Sequence, residues 1–180
     1  IGKFGWFSQA AANLKKEIRI TVEELVKLGT LNAKNMFFRS RKEQNLAVEN
    51  AIKMVGMEEH KHTDVSKLSG GQKQRTVIAR ALASNADFIL LDEPLVGIDR
   101  NARNSLLKLL DNLCHDEGKT ILMVSHDLAA IRQTAHRMIF LEQGIWFDGS
   151  SDEFPDLNQL AHLRGIQHVH GHGNYKEEEE

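Results

Sequence analysis

Apolar positions change their spacing along the chain, and each spacing predicts a different element. Lys3 to Ser8 is apolar and aromatic, predicts a short strand, and runs into Gln9. Ile18, Ile20 and Val22 alternate as a half-buried strand would. Thr21 and Glu24 have the spacing of a capping box ahead of Leu25 and Val26. Around residues 41–57, Ala47 with Val48, Ala51 with Ile52, and Val55 fall on one helical face. Most of the stretch from Ala10 to about His60 favours helices, so a helical subdomain is expected there.

After Ser69 the pattern becomes that of an α/β protein. A helix is expected from Gly70 to about Ala83. Asp87 to Leu91 is a mostly apolar run, as in a strand buried on both faces of a parallel sheet. Ala102, Leu106, Leu109, Leu110 and Leu113 line one side of the next helix, and Thr120 to Val124 predicts a second buried strand. A helix is then expected through Ile131. Arg137–Leu141 and Ile145–Phe147 predict a hairpin around Gln143 and Gly144. Strands alternating with helices imply a mostly parallel sheet with helices packed against it. From about Gly165 the chain turns Gly/His-rich and then acidic, the composition of a solvated tail.

At 180 residues, with 41% hydrophobic and 27% charged side chains, the chain is sized and composed to bury a core. Its net charge of −2 arises in the last five residues; without them, 22 basic side chains face 21 acidic ones. Nothing in that balance points to nucleic acid or an anionic membrane as partner. One cysteine, Cys114, excludes an internal disulfide and favours a reducing compartment. No apolar run is long enough to span a bilayer. The first residue is not Met, and a fragment or processed chain is expected.

Four local patterns carry candidate chemistry, and their order matters more than any one of them. Leu68-Ser69-Gly70-Gly71-Gln72 offers an N-cap serine and two glycines that let a ligand approach a helix start, where free N–H groups and the helix dipole suit a phosphate. Phe88-Ile89-Leu90-Leu91-Asp92-Glu93 is an apolar strand ending in two carboxylates, placed where open α/β sheets bind ligands. Asp92 is suited to hold Mg²⁺, and Glu93 to orient or deprotonate a water. Asp99 follows in Gly97-Ile98-Asp99, and His126 ends another strand in Val124-Ser125-His126-Asp127. Each has a plainer reading: a capped helix, an acidic turn, an N-cap aspartate, a structural histidine.

Together, LSGGQ, FILLDEP, the Asp99 loop and His126 resemble the nucleotide-binding subunit of an ABC transporter over roughly residues 1–150. The resemblance implies a P-loop NTPase-like α/β fold with an inserted helical subdomain. A partial ATPase domain is then expected at 1–165, with helical subdomain and signature motif at about 10–85, a core at 86–150, and a flexible tail at 166–180. It implies ATP and Mg²⁺ as cofactors. Gln9 would sense Mg²⁺ and the attacking water. Ser69, Gly70, Gly71 and Gln72 would form the signature loop that clasps ATP in trans. Asp92 would serve Mg²⁺, Glu93 would be the catalytic base, Asp99 would connect two sites, and His126 would hold the γ-phosphate. Implied partners are a second ATPase subunit (a homodimer or a pair), an integral membrane permease and a metal-binding extracytoplasmic protein, at the cytoplasmic face of the membrane.

One departure stands out. The family's phosphate loop, G-x-x-x-x-G-K-[ST], is absent from the chain. The expectation is that an N-terminal part is missing, and that these residues alone neither bind ATP tightly nor hydrolyse it. "DEPLVGID" is similar to the loop of manganese and zinc importers, whereas siderophore importers tend toward a "YLD" ending. His168, His170 and His172 in "HVHGHG" add imidazoles suited to Zn²⁺ or Mn²⁺. Against this importer reading stand a soluble ABC ATPase of translation or DNA repair, and a non-catalytic truncated module. The compact stretch between Gln9 and Leu68 disfavours the repair type.

Overall fold

The computed structural model describes residues 4–7 (backbone only), 19–31 and 40–155. By internal contacts the chain divides into two compact units, 1–130 and 131–180. The first holds a parallel sheet of β1 (Phe4–Phe7), β2 (Phe88–Asp92) and β3 (Thr120–Val124), in that spatial order. The register sets Phe7 beside Leu91 and Asp92 beside Val124, so the carboxyl ends of the strands are aligned.

Between β1 and β2 lie α1 (Val22–Lys27), α2 (Arg41–Met54) and α3 (Gly70–Ala83), which pack on one another. All three begin with a capping box: Thr21 with Glu24, Ser40 with Glu43, and Ser69 with Gln72. In each, two N–H groups that the helix leaves without partners are satisfied reciprocally. Val48, Ala51, Ile52 and Val55 are buried as the spacing predicts.

The alternation of Ile18, Ile20 and Val22 does not become a strand where it is described. The Thr21 cap starts a helix at Val22, leaving one antiparallel bridge, Thr21 to Asp64. Local capping decides the conformation there, and the alternation is reduced to a turn entry.

Between β2 and β3, α4 (Arg100–His115) buries Leu106, Leu107, Leu109, Leu110 and Leu113 and packs on β3 and α3. β2 is deeply buried on one face, through Ile89 and Leu91, with the other side chains partly exposed. Burial of β3 on both faces is not found among the described residues. Ile121 and Met123 pack on the core, while Leu122 and Val124 are 46% and 51% exposed. The same face of β2, through Leu90 and Asp92, is likewise only partly covered, so this side of the described sheet is open.

α5 (Leu128–Thr134) follows β3. In the second unit, β4 (Arg137–Leu141) and β5 (Ile145–Ser150) form the expected hairpin, with Gln143 at a φ of 55° in its turn. The Phe154 ring meets Phe147 edge-on and Phe140 at a tilt. Among the described residues no helix is long and apolar enough to cross a membrane.

Candidate functional site

The chemistry gathers where β2 and β3 end side by side. Asp92, the last residue of β2, is exposed there. Glu93 follows with a φ of 49°, in the left-handed region that residues bearing a Cβ seldom adopt. Two hydrogen bonds hold it in place. Its N–H donates to the Val124 carbonyl at 2.9 Å, and its carbonyl accepts the Val96 N–H at 3.3 Å. A strained conformation at a strand end, over-determined by its surroundings, is a feature of functional sites. The sharp turn brings the Glu93 carboxylate to His126, whose Nδ1 lies 2.9 Å from Oε1 and 3.0 Å from Oε2.

His126 is therefore not a buried structural histidine. Its side chain is 78% exposed, against 24% for Glu93. The hydrogen bond to Glu93, then the carboxylate's charge, raises the imidazole's pKa above 6.5; partial desolvation opposes the shift, Asp127 adds to it and Arg103 subtracts. The folded state thus binds a proton more tightly than the unfolded chain. The pair's stabilisation is complete below the ordinary histidine range and is lost as pH rises through the raised value. In an NMR titration the His126 Cε1–H should report a midpoint above 6.5. Glu93→Gln should return it toward that value, and an unmoved midpoint would separate the two residues.

The adjoining turn is fixed from two sides. Asp127 pairs with Arg103 of α4, and it also accepts the Ala130 N–H at 3.1 Å, capping α5. Neither Arg103 nor Asp127 was among the residues the sequence singled out. An aspartate directly before Leu128 is an N-cap signal; the Arg103 pairing, 24 residues away in sequence, leaves no local trace.

The signature segment forms the start of α3. The Gln72 N–H donates to Ser69 Oγ at 3.3 Å and the Ser69 N–H to Gln72 Oε1 at 2.9 Å. The first helical hydrogen bond runs from Lys73 N–H to the Ser69 carbonyl, so the Gly70 and Gly71 N–H groups precede it and point out of the helix start. The glycines also admit the chain's own Asp99 loop. A Cβ on Gly70 would lie 2.7 Å from the Gly97 carbonyl oxygen, and one on Gly71 would lie 2.8 Å from the Ala102 Cβ. Asp99 itself caps α4, accepting the N–H groups of Asn101 and Ala102, both at 2.9 Å.

These groups fit the cofactors expected of them. An open carboxylate at a strand end is a hard oxygen donor of the kind Mg²⁺ takes, and unpaired N–H groups at a helix start suit a phosphate. The fold brings Asp92, Glu93 and His126 to one sheet edge, and sets Ser69, Gly70, Gly71 and Gln72 beside the Asp99 loop. Gln9 and the tail histidines His168, His170 and His172 lie outside the described residues.

The family model for ABC transporters matches residues 2–96, just over half of the chain. The chain belongs to the ABC transporter family. The zinc uptake system ATP-binding protein ZurA of Listeria innocua is 36% identical over 152 residues, which is 84% of this chain and 59% of ZurA. The manganese transport system ATP-binding protein MntB of Halalkalibacterium halodurans is 40% identical over 124 residues, 69% of this chain and 49% of MntB. A dimeric ATP-binding cassette in a post-hydrolysis state, bound to ADP and Pi, superposes with a TM-score of 0.64 at 31% identity. That match covers 85% of this chain and 65% of the cassette. The chain thus spans about half to three fifths of the length of these curated relatives. In ABC-family terms, the four motifs occupy a parallel sheet with flanking helices, as the α/β reading predicted.

Proposed function

We propose that the chain is the ATP-hydrolysing part of an ABC importer subunit that energises uptake of a divalent metal ion, zinc or manganese. The observation that carries the ATPase half is the Glu93–His126 pair at the aligned ends of β2 and β3, next to Asp92. Glu93 accepts the proton of the water that attacks the γ-phosphorus as the bond to the ADP oxygen breaks, leaving ADP and phosphate. With its Nδ1 turned to Glu93, His126 in its imidazolium form has Nε2–H to donate to a γ-phosphate oxygen. Asp92 would hold Mg²⁺, whose charge would neutralise that of the phosphates, and Gln9 would sense Mg²⁺ and the attacking water. Ser69, Gly70 and Gly71 offer the start of α3 to the ATP of a facing subunit, and Asp99 connects the two sites.

The helical subdomain with the signature motif then takes about 10–85, the core 86–150 and a His-rich, acidic tail 166–180. Its partners are a second ATPase subunit, a permease and an extracytoplasmic metal-binding protein, and its place is the cytoplasmic face of the membrane. A phosphate loop must complete the site, so the 180 residues alone are expected to be inactive. The metal half is supported by the DEPLVGID loop, by the zinc uptake and manganese transport systems to which ZurA and MntB belong, and by His168, His170 and His172.

The test is reconstitution with the permease in vesicles, with a phosphate loop supplied upstream of Ile1. ATP hydrolysis is expected to rise with Zn²⁺ or Mn²⁺ delivered to the outer face and not with a ferric chelate; the reverse would move the chain to the siderophore importers. In the same protein, deleting residues 167–173 should remove most Zn²⁺ binding by calorimetry, and an unchanged isotherm would reject the tail as a metal site.

A further inference from the structure

Gln72 is committed at both ends of its amide. Oε1 accepts the Ser69 N–H at 2.9 Å, which fixes that atom as oxygen because a backbone N–H only donates. The other atom is therefore the amide nitrogen, and it lies 2.8 Å from Nε2 of His60. An amide NH₂ has only hydrogens to give, so His60 Nε2 must accept. The imidazole is thus neutral, with its proton on Nδ1. His60 comes to this place from a 3-10 turn, Glu58–His60, twelve residues upstream of Gln72. That turn is held by its own backbone. The His60 N–H donates to the Met57 carbonyl at 3.1 Å, and the His60 carbonyl accepts the Thr63 N–H at 2.8 Å. Met57, 1% exposed, anchors it in the core.

We propose that His60 is a positioning residue for the signature loop. Neutral His60 holds the Gln72 amide, Gln72 holds Ser69, and Ser69 fixes the start of α3. The link to ATP rests on the functional reading above; the chain of contacts does not. A proton on Nε2 would set two donors face to face, release Gln72 and loosen the capping box. Charged groups lie on its own turn and on α1, α2 and α3, and those for which a pairing is seen are engaged elsewhere. Glu58 and Glu59 precede it in its own turn, and Lys61 and His62 follow. From α1, Glu23 meets both Lys61 and His62 at 3.4 Å. From α2, Glu49 meets Lys61 at 3.5 Å. From α3, Lys73 and Arg75 follow Gln72, and the Arg75 guanidinium is engaged by the Val55 carbonyl and by Ser105 Oγ.

The test is an NMR titration of the full chain between about pH 5 and 8, the range in which imidazoles change charge. Neutral His60 should carry its proton on Nδ1. The Gln72 side-chain amide and the Ser69 and Gly70 N–H signals should shift together with the His60 ring signals. In His60→Gln, whose carboxamide oxygen also accepts, those signals should stay in place across the range. In His60→Leu they should be displaced at every pH. A proton on Nε2, or a His60 titration that leaves Gln72 and Ser69 still, overturns the proposal.

Activity then separates the two levels. In the protein completed with a phosphate loop, His60→Leu should lower ATP turnover about five-fold, the weight of one hydrogen bond. His60→Gln, whose carboxamide oxygen also accepts, should keep the rate. Where Ser69→Arg stops hydrolysis but the signals ignore His60, the positioning role fails and the ATPase reading stands. Where the signals follow His60 but Ser69→Arg leaves hydrolysis intact, the ATPase reading fails instead.

Discussion

Glu93→Gln, in the protein completed with a phosphate loop, is expected to lower ATP turnover by about 10²- to 10⁴-fold, the usual contribution of general-base catalysis. Nucleotide should still bind, because the groups suited to phosphate and Mg²⁺ at the start of α3 and at Asp92 are untouched. The amide occupies the same volume and keeps the backbone turn with a φ of 49°. Only the ability to take a proton is removed. Single-turnover measurement separates this from a folding effect: bound ATP should persist uncleaved. Undiminished turnover would remove Glu93 from the role of base and leave its pairing with His126 as structural. The pairing gives a second readout in the same variant, since the His126 midpoint should fall while turnover is lost.

Leu106→Ala carries the largest stability effect expected. Leu106 is fully buried in α4, within the core cluster shared by α1 to α4 and β2. Removing a buried leucine side chain costs about 2–5 kcal/mol, the lost burial plus the cavity that remains. Urea unfolding should show the midpoint falling with an unchanged slope, as for a loss of stability without a change in surface exposed. A shift under about 2 kcal/mol, the lower end of that range, would mean the core closes around the gap. α4 begins at the Asp99 cap and carries Arg103, which holds the turn after His126. The same helix therefore joins the core to both loops of the site.

The local elements were legible because their determinants are local. Ser69 and Gln72 are three residues apart, and both hydrogen bonds of the capping box form within one turn. The leucine spacing of α4 places its buried face whatever the helix packs against. Alternation was less reliable. Ile20 and Val22 alternate, but the Thr21 cap outweighs two apolar positions. β3 is as apolar as β2, and neither its composition nor its spacing says which face of the sheet is covered.

The order of elements, the helix starts, the parallel α/β class and the motifs that identify the family can all be read along the chain. Those depend on residues within a few positions of one another. Packing of the fold settles what meets across long separations. It put Glu93 against His126, 33 residues apart, Arg103 against Asp127, 24 apart, and His60 against Gln72, 12 apart. It also set Gly29 against the backbone of Arg80, where a Cβ has no room. Such contacts follow from how strands register and helices pack, and side-chain spacing carries no record of them.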